Sequence, residues 1–243
     1  MNDVIFIGDT HGNSKAIVNA LEYCNLDEDV LIHVGDFGTI SQNKFGMNVS
    51  KFIGAMDRLD VKLGKRCCKL YITRGNHDDP VCFDGKWGAE MWDNIEFLPD
   101  YSTKEINGKK YLFIGGALSV DRLVRIEEHG YYFWDKEEVD LKEDKVKKCD
   151  VLVTHTADST SLGMSWSNID WWLNGQRDGK GDPKLLADLI AEGQKMLKIR
   201  DLCDPEYWFL GHYHQEISTN IGRTKTRVLN IDEIYQFRSY ESQ

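Results

Sequence analysis

The sequence predicts an α/β fold: a two-sheet sandwich flanked by helices. Three observations lead there. Short apolar runs alternate with longer mixed segments, the pattern of strands joined by helical connections. Paired runs near Tyr101–Ile114 and near the C-terminus read as hairpins, so part of the sheet structure is antiparallel. Glycine-bearing polar clusters follow directly on several of the apolar runs, which places polar chemistry where strands end.

Taken in order, the predicted strands are Val4–Ile7, Val30–Val34, Leu70–Thr73, Tyr111–Ile114, Val151–Thr154 and Tyr207–Leu210. Two more, around Glu216–Asn220 and Thr226–Ile231, flank "IGRTK" and form the terminal hairpin. Helices are expected over Ser14–Tyr23, Lys44–Leu59, Lys136–Lys147 and Pro183–Leu197. In the last, Leu185, Leu186, Leu189, Ile190 and Leu197 fall near helical spacing, and Asp182 before Pro183 reads as its N-cap. No repeat or low-complexity segment occurs, and the four prolines mark no linker, so residues 1–243 read as a single domain.

Composition narrows the class. Hydrophobic residues make up 41% and charged residues 29%, enough for a packed core. The net charge of −10, with no basic run, argues against a nucleic-acid binder, which needs a cationic track along phosphates. A phosphate substrate stays compatible, because bound cations invert the local sign. No apolar run approaches the ~20 residues that span a membrane. The chain enters a strand without a positive region and a cleavable apolar segment, so a cytosolic location is the expectation. The six cysteines show no CxxC spacing and are read as reduced thiols, several of them buried.

The strand ends carry the chemistry. The first run ends in "GDTHG", giving Asp9 and His11; the second in "GDFG", giving Asp36; the third in "GNHDD", giving Asn76, His77 and Asp78. The runs at Val151 and Tyr207 end in "TH" with His155 and in "GHYH" with His212 and His214. Each cluster alone is ordinary turn chemistry. Together they place five of the seven histidines in such turns, and that concentration points to a metal site. Imidazole and carboxylate donors without thiolate suit manganese, iron or zinc. Two aspartates, an asparagine and four histidines exceed the needs of one ion and suffice for two that share a bridging carboxylate.

The blocks "GDTHG", "GDFG", "GNHD", "TH" at residues 154–155 and "GHYH", in this order between residues 8 and 214, resemble the calcineurin-like metallophosphoesterase family. The resemblance implies an α/β/β/α sandwich of the metallo-dependent phosphatase type. It implies one metal held by Asp9, His11 and His214, another by Asn76, His155 and His212, and Asp36 as the bridge. It places His77 beside the metals, touching the phosphate or protonating the leaving oxygen. The reaction implied is hydrolysis of a small phosphate ester by direct attack of metal-bound hydroxide, with manganese first among the ions and iron or zinc as alternatives.

The departures bear on the substrate. The protein-phosphatase branch of that family carries "GDxxDRG" and "GNHE", whereas this chain has "GDFGTIS" and ends the third block in Asp78. The aspartate that orients the third-block histidine in that branch is missing, so His77 needs another partner. A protein phosphatase or a dinucleoside polyphosphate hydrolase is the nearer alternative, and a nuclease the more distant one. A metal-free scaffold is a third alternative, and the retention of every expected ligand speaks against it.

Other residues have two readings. "IGGALSVDR", Ile114–Arg122, resembles a block of small phage and bacterial members of the family, and Arg122 reads either as a bidentate phosphate contact or as half of an ion pair. Arg74 reads as structural. His33, inside "VLIHV", reads as a hydrogen-bonded core histidine, and His129 as an exposed one. The segment Ser165–Gly179, with Trp166, Trp171 and Trp172, reads as a substrate cap or as a structural flap.

Overall fold

The computed structural model describes residues 3–24, 29–38, 49–85, 91–123, 137–163, 173–174 and 181–238. Two sheets carry the molecule. The first has five strands in the order β11 (Ile234–Phe237), β1 (Val4–Ile7), β2 (Val30–His33), β3 (Lys69–Ile72) and β4 (Ile95–Phe97). The second has six, in the order β5 (Ser102–Ile106), β6 (Lys109–Ile114), β7 (Val151–Thr154), β8 (Tyr207–Leu210), β10 (Thr224–Val228) and β9 (Ile217–Ile221). Strands β1 to β4 are mutually parallel, as are β6, β7, β8 and β10; β11, β5 and β9 are antiparallel edges. Parallel pairing in register, Ile7 beside His33 and Ile114 beside Thr154, lines up the carboxyl ends of the inner strands.

Period-two alternation sorts each strand onto two apolar layers, which is why the runs read as continuously hydrophobic. Val4 and Phe6 face the second sheet, where Phe6 stacks on Phe209 at 3.8 Å between ring centroids. Ile5 and Ile7 face the opposite way, with Ile17 of α1 (Ser14–Ala20) and Phe52, Met56, Leu59 and Leu63 of α2 (Val49–Gly64). On the outer face of the second sheet, Leu112, Leu152, Trp208 and Leu210 pack with Met196, Ile199 and Cys203 of α3 (Leu185–Cys203). The layers are therefore helix, sheet, sheet, helix, as expected. No described helix is long and apolar enough to cross a membrane.

Several local expectations need correction. Residues 138–147 form no α-helix, only a 3-10 turn at Glu143–Lys145, and the expected start at Lys136 lies outside the described residues. Val139 and Leu141 are two apart, so no helical stripe exists there, and the buried Val139 takes a side-chain partner for its N–H instead. Asp182 is not the N-cap of α3; the helix starts later, after Lys184, while Asp182 holds the preceding turn by accepting from the Lys184 N–H at 3.1 Å. The helix also continues to Cys203, because the fully buried Met196, Ile199 and Cys203 extend its apolar stripe. It stops where Asp204 turns left-handed at φ 56°. The last hairpin strand is Thr224–Val228 rather than Thr226–Ile231. Helix α2 runs on to Gly64, and the expected start at Lys44 lies outside the described residues, as do His129 and the three tryptophans of the 165–179 segment. All six cysteines are free thiols, five of them buried and Cys67 exposed.

Candidate metal centre

Five turns converge at the carboxyl ends of β1, β2, β3, β7 and β8. Their backbones are forced: His11, Asp36, His212 and His214 all adopt left-handed conformations, with φ of 45°, 53°, 70° and 50°. A non-glycine residue there costs roughly 1 kcal/mol or more, and such strain gathers at functional sites. Glycines let the turns interlock. A Cβ on Gly75 would lie 2.0 Å from Asp36 Oδ1, and one on Gly211 would lie 2.0 Å from Asp9 Oδ1. The glycine of one motif thus makes room for the carboxylate of another.

The donors form two groups. Asp9, His11, Asp36 and His214 offer ligand atoms within 4.8 Å of one another. Within that group His11 Nε2 is 3.1 Å from His214 Nε2, and His214 Nε2 is 3.3 Å from Asp9 Oδ2. In the second group, Asn76 Oδ1 lies 3.0 Å from His155 Nε2 and 3.1 Å from His212 Nδ1. Asp36 belongs to both: its Oδ2 is 3.8 Å from His11 Nε2 and its Oδ1 is 3.3 Å from His155 Nε2. His77 stands at the rim, about a third exposed, its Nε2 4.0 Å from Asp36 Oδ2 and its backbone N–H donating to Asp36 Oδ1 at 2.9 Å.

The electrostatics ask for positive charge. Asp9 and Asp36 are fully buried carboxylates, and Asp9 Oδ1 has no hydrogen-bond partner. Burial alone would raise the Asp36 pKa; His155, His77 and His11 outweigh it and hold the carboxyl well below the usual range. Burial likewise pushes the His155 imidazole down, yet Asp36 and Asp9 bring it up to about 9. His155 Nδ1 donates to the Val34 carbonyl at 2.9 Å, which turns Nε2 toward the Asn76 oxygen. Two electron-pair donors then face each other unless a proton or a cation lies between them. Buried carboxylates, imidazole nitrogens and an amide oxygen are a donor set that fits a divalent cation.

Neighbouring side chains brace the turns. Asp78 accepts from the N–H groups of Phe37, Gly38 and Gly75, which ties the second block to the third, and Asp79 accepts from Val81 N. His33 is a fully buried core histidine, as expected. Its Nδ1 accepts from Gly35 N at 3.3 Å, so Nε2 donates to Thr10 Oγ1 at 3.0 Å, and Thr10 passes its own proton to the Phe37 carbonyl. Burial lowers its pKa to about 3, in keeping with a neutral ring. Arg74 is structural, bonded to Asp100 and to the Glu137 carbonyl.

Of the two readings of Arg122, the structure shows the ion pair. The residue is buried and held by Asp182 at 2.5 Å and Asp188 at 2.7 Å, so its guanidinium serves to fasten the loop after β6 to the start of α3. Two residues that sequence reasoning missed, and a third whose role it did not see, support the site. Glu137 carries no motif. Glu192 had a signal, since a carboxylate seven residues after Leu185 and four before Met196 sits on the apolar stripe of α3. Asp78 was noted only as a neighbour of His77.

Comparisons with known proteins bear on the family and the fold. The family described as calcineurin-like phosphoesterase matches residues 3–216. Among solved structures, the phosphopantetheinyl hydrolase of Mycobacterium tuberculosis is similar at a TM-score of 0.52 with 13% identity, over 100% of this chain and 98% of that one. A predicted phosphoesterase of Streptococcus pneumoniae TIGR4 has a TM-score of 0.41 and 11% identity, over 95% of this chain and 72% of the other. An archaeal phosphodiesterase has 0.42 and 12%, over 97% and 98%. At 13% identity the likeness to the Mycobacterium tuberculosis structure speaks for the fold alone. No curated protein matches the chain.

Proposed function

Since the chain belongs to the calcineurin-like phosphoesterase family, we propose that it hydrolyses a small phosphate ester at two divalent cations, one held by Asp9, His11, Asp36 and His214, the other by Asp36, Asn76, His155 and His212. The observation that carries this reading is Asp36, whose two oxygens face different donor groups. When bound, such a pair of cations supplies Lewis acidity and lowers the pKa of water to the neutral range. Manganese is the first choice, with iron or zinc as alternatives, because no thiolate is in the donor set.

The chain's own groups do the rest. The strained turns hold the donors rigid, so that little reorganisation accompanies the reaction. His155, fixed by Val34, keeps Nε2 turned inward. His77 is exposed enough to meet a substrate and lies beside Asp36; its role is to contact the phosphate or protonate the leaving oxygen. The charge of −10 favours a small ester over a nucleic acid, and the cytosol is the location proposed with it.

The test is metal analysis of the purified protein with turnover of p-nitrophenyl phosphate and bis-p-nitrophenyl phosphate in added Mn²⁺. Asp36→Asn is expected to lower the content of both metals and cut turnover by at least about a hundredfold. Wild-type activity in that variant removes the bridging role. Activity that survives complete chelation removes the proposal itself.

A further inference from the structure

An asparagine ligand carries a problem that a carboxylate lacks. Its oxygen can bind a cation, while its nitrogen, the same size and almost the same shape, presents two N–H groups that repel one. A half-turn of the Asn76 amide would exchange the two. At Asn76 the oxygen faces His155 and His212, and the nitrogen donates to Ser119 Oγ at 2.8 Å. Ser119 in turn donates to Glu137 Oε2 at 2.6 Å.

We propose that Ser119 and Glu137 are positioning residues that polarise this chain of hydrogen bonds and so hold the Asn76 oxygen toward the metal side. Each link has one permitted direction. A carboxylate only accepts, so Glu137 takes the hydroxyl proton of Ser119. The serine oxygen then offers a lone pair, which accepts from the Asn76 N–H and cannot donate to its oxygen. Without Glu137, the serine could turn its proton to the Asn76 oxygen and stabilise the wrong amide face. A bond to a carboxylate is about twice as strong as a neutral one, which gives the chain its sense.

The relay is built into the fold. Asn76, Ser119 and Glu137 are all buried, with 2%, 2% and 5% of their surface exposed. The Glu137 carbonyl accepts from Ala117 N at 2.8 Å and from Arg74 at 3.2 Å, which ties Glu137 to the backbone two residues before Ser119. From α3, Glu192 accepts from Leu118 N at 3.0 Å, next to Ser119, and from Val139 N at 3.5 Å, two residues past Glu137.

This inference rests on the two-ion reading and is tested by calorimetric titration of the metal-free full chain with Mn²⁺. Wild type is expected to bind two equivalents. Ser119→Ala should weaken one equivalent about tenfold or more and leave the other unchanged, since residues that orient a ligand typically carry that much affinity. Glu137→Gln, isosteric and uncharged, should weaken the same equivalent to a smaller extent, and it carries the test if Ser119→Ala does not fold. In an Asn76→Asp background, where the side chain has two oxygens and no wrong face, Ser119→Ala should cause no further loss. Two wild-type equivalents in both Ser119→Ala and Glu137→Gln overturn the relay alone. So does equal weakening of both equivalents, or the same loss in the Asn76→Asp background. Fewer than two equivalents in the wild type overturn the two-ion reading and the relay with it.

Discussion

Glu192 shows how much a single residue can hold. It is a carboxylate buried on the inner side of a helix, and its environment raises its pKa to about 7, burial pushing up against the pull of the Leu118 and Val139 N–H groups. A carboxyl whose folded pKa exceeds its unfolded value stabilises the fold while protonated, below about 4.5, and that contribution is lost as pH rises to about 7. The loss is on the order of 3 kcal/mol. Glu192→Gln keeps an acceptor for one of the two N–H groups and has no proton to lose. Its melting temperature should fall less than that of the wild type between about pH 5 and 7; parallel curves would show that the group is ionised throughout. At this scale the candidate ligands were legible, because each follows an apolar run and is His, Asp or Asn. The supporting residues were not. Ser119 stands in a turn, and nothing in its own neighbourhood names Glu137, eighteen positions away, as its partner. The two readings of Arg122 stayed open for the same reason: the two aspartates that hold it lie sixty and sixty-six positions further on.

Among elements, the inner strands were readable since burial on both faces leaves them uniformly apolar, and β1, β7 and β8 match their expected limits. β4 and β11 were missed. They are three and four residues long, lie at sheet edges, and carry Glu96 and Gln236 within their short runs. The segment expected as a helix across 136–147 is charge-rich and carries no apolar stripe. α3 ran past its expected end because the charged Lys198, Arg200 and Asp201 obscure the buried Ile199 and Cys203 between and beyond them. Its attachment to the rest of the fold leads to a prediction. Breaking a buried ion pair by removing one partner costs roughly 3–5 kcal/mol, less here because Asp188 is nearly half exposed. Arg122→Met should therefore lower stability in urea while leaving KM for a phosphate ester near the wild-type value. A large rise in KM with unchanged stability would instead return Arg122 to the substrate.

For the molecule as a whole, the candidate ligands come from both sheets: Asp9, His11, Asp36 and Asn76 follow strands of the first, His155, His212 and His214 strands of the second. Cations bound there would fasten one sheet to the other as well as serve chemistry. A ligand that binds only the folded state stabilises it by about 2.7 kcal/mol at a hundred times its Kd. Added Mn²⁺ should accordingly raise the unfolding temperature of the metal-free protein, and Asp36→Asn should abolish most of that rise; an unchanged transition would mean that no cation is held across the sheets. The left-handed turns at His11, Asp36, His212 and His214 have a bearing of another kind. Glycine would occupy each of those conformations without the Cβ penalty, so the strain there is tied to what the side chains do. Imidazoles and a carboxylate stand in all four instead, each turned into the same cluster of donors.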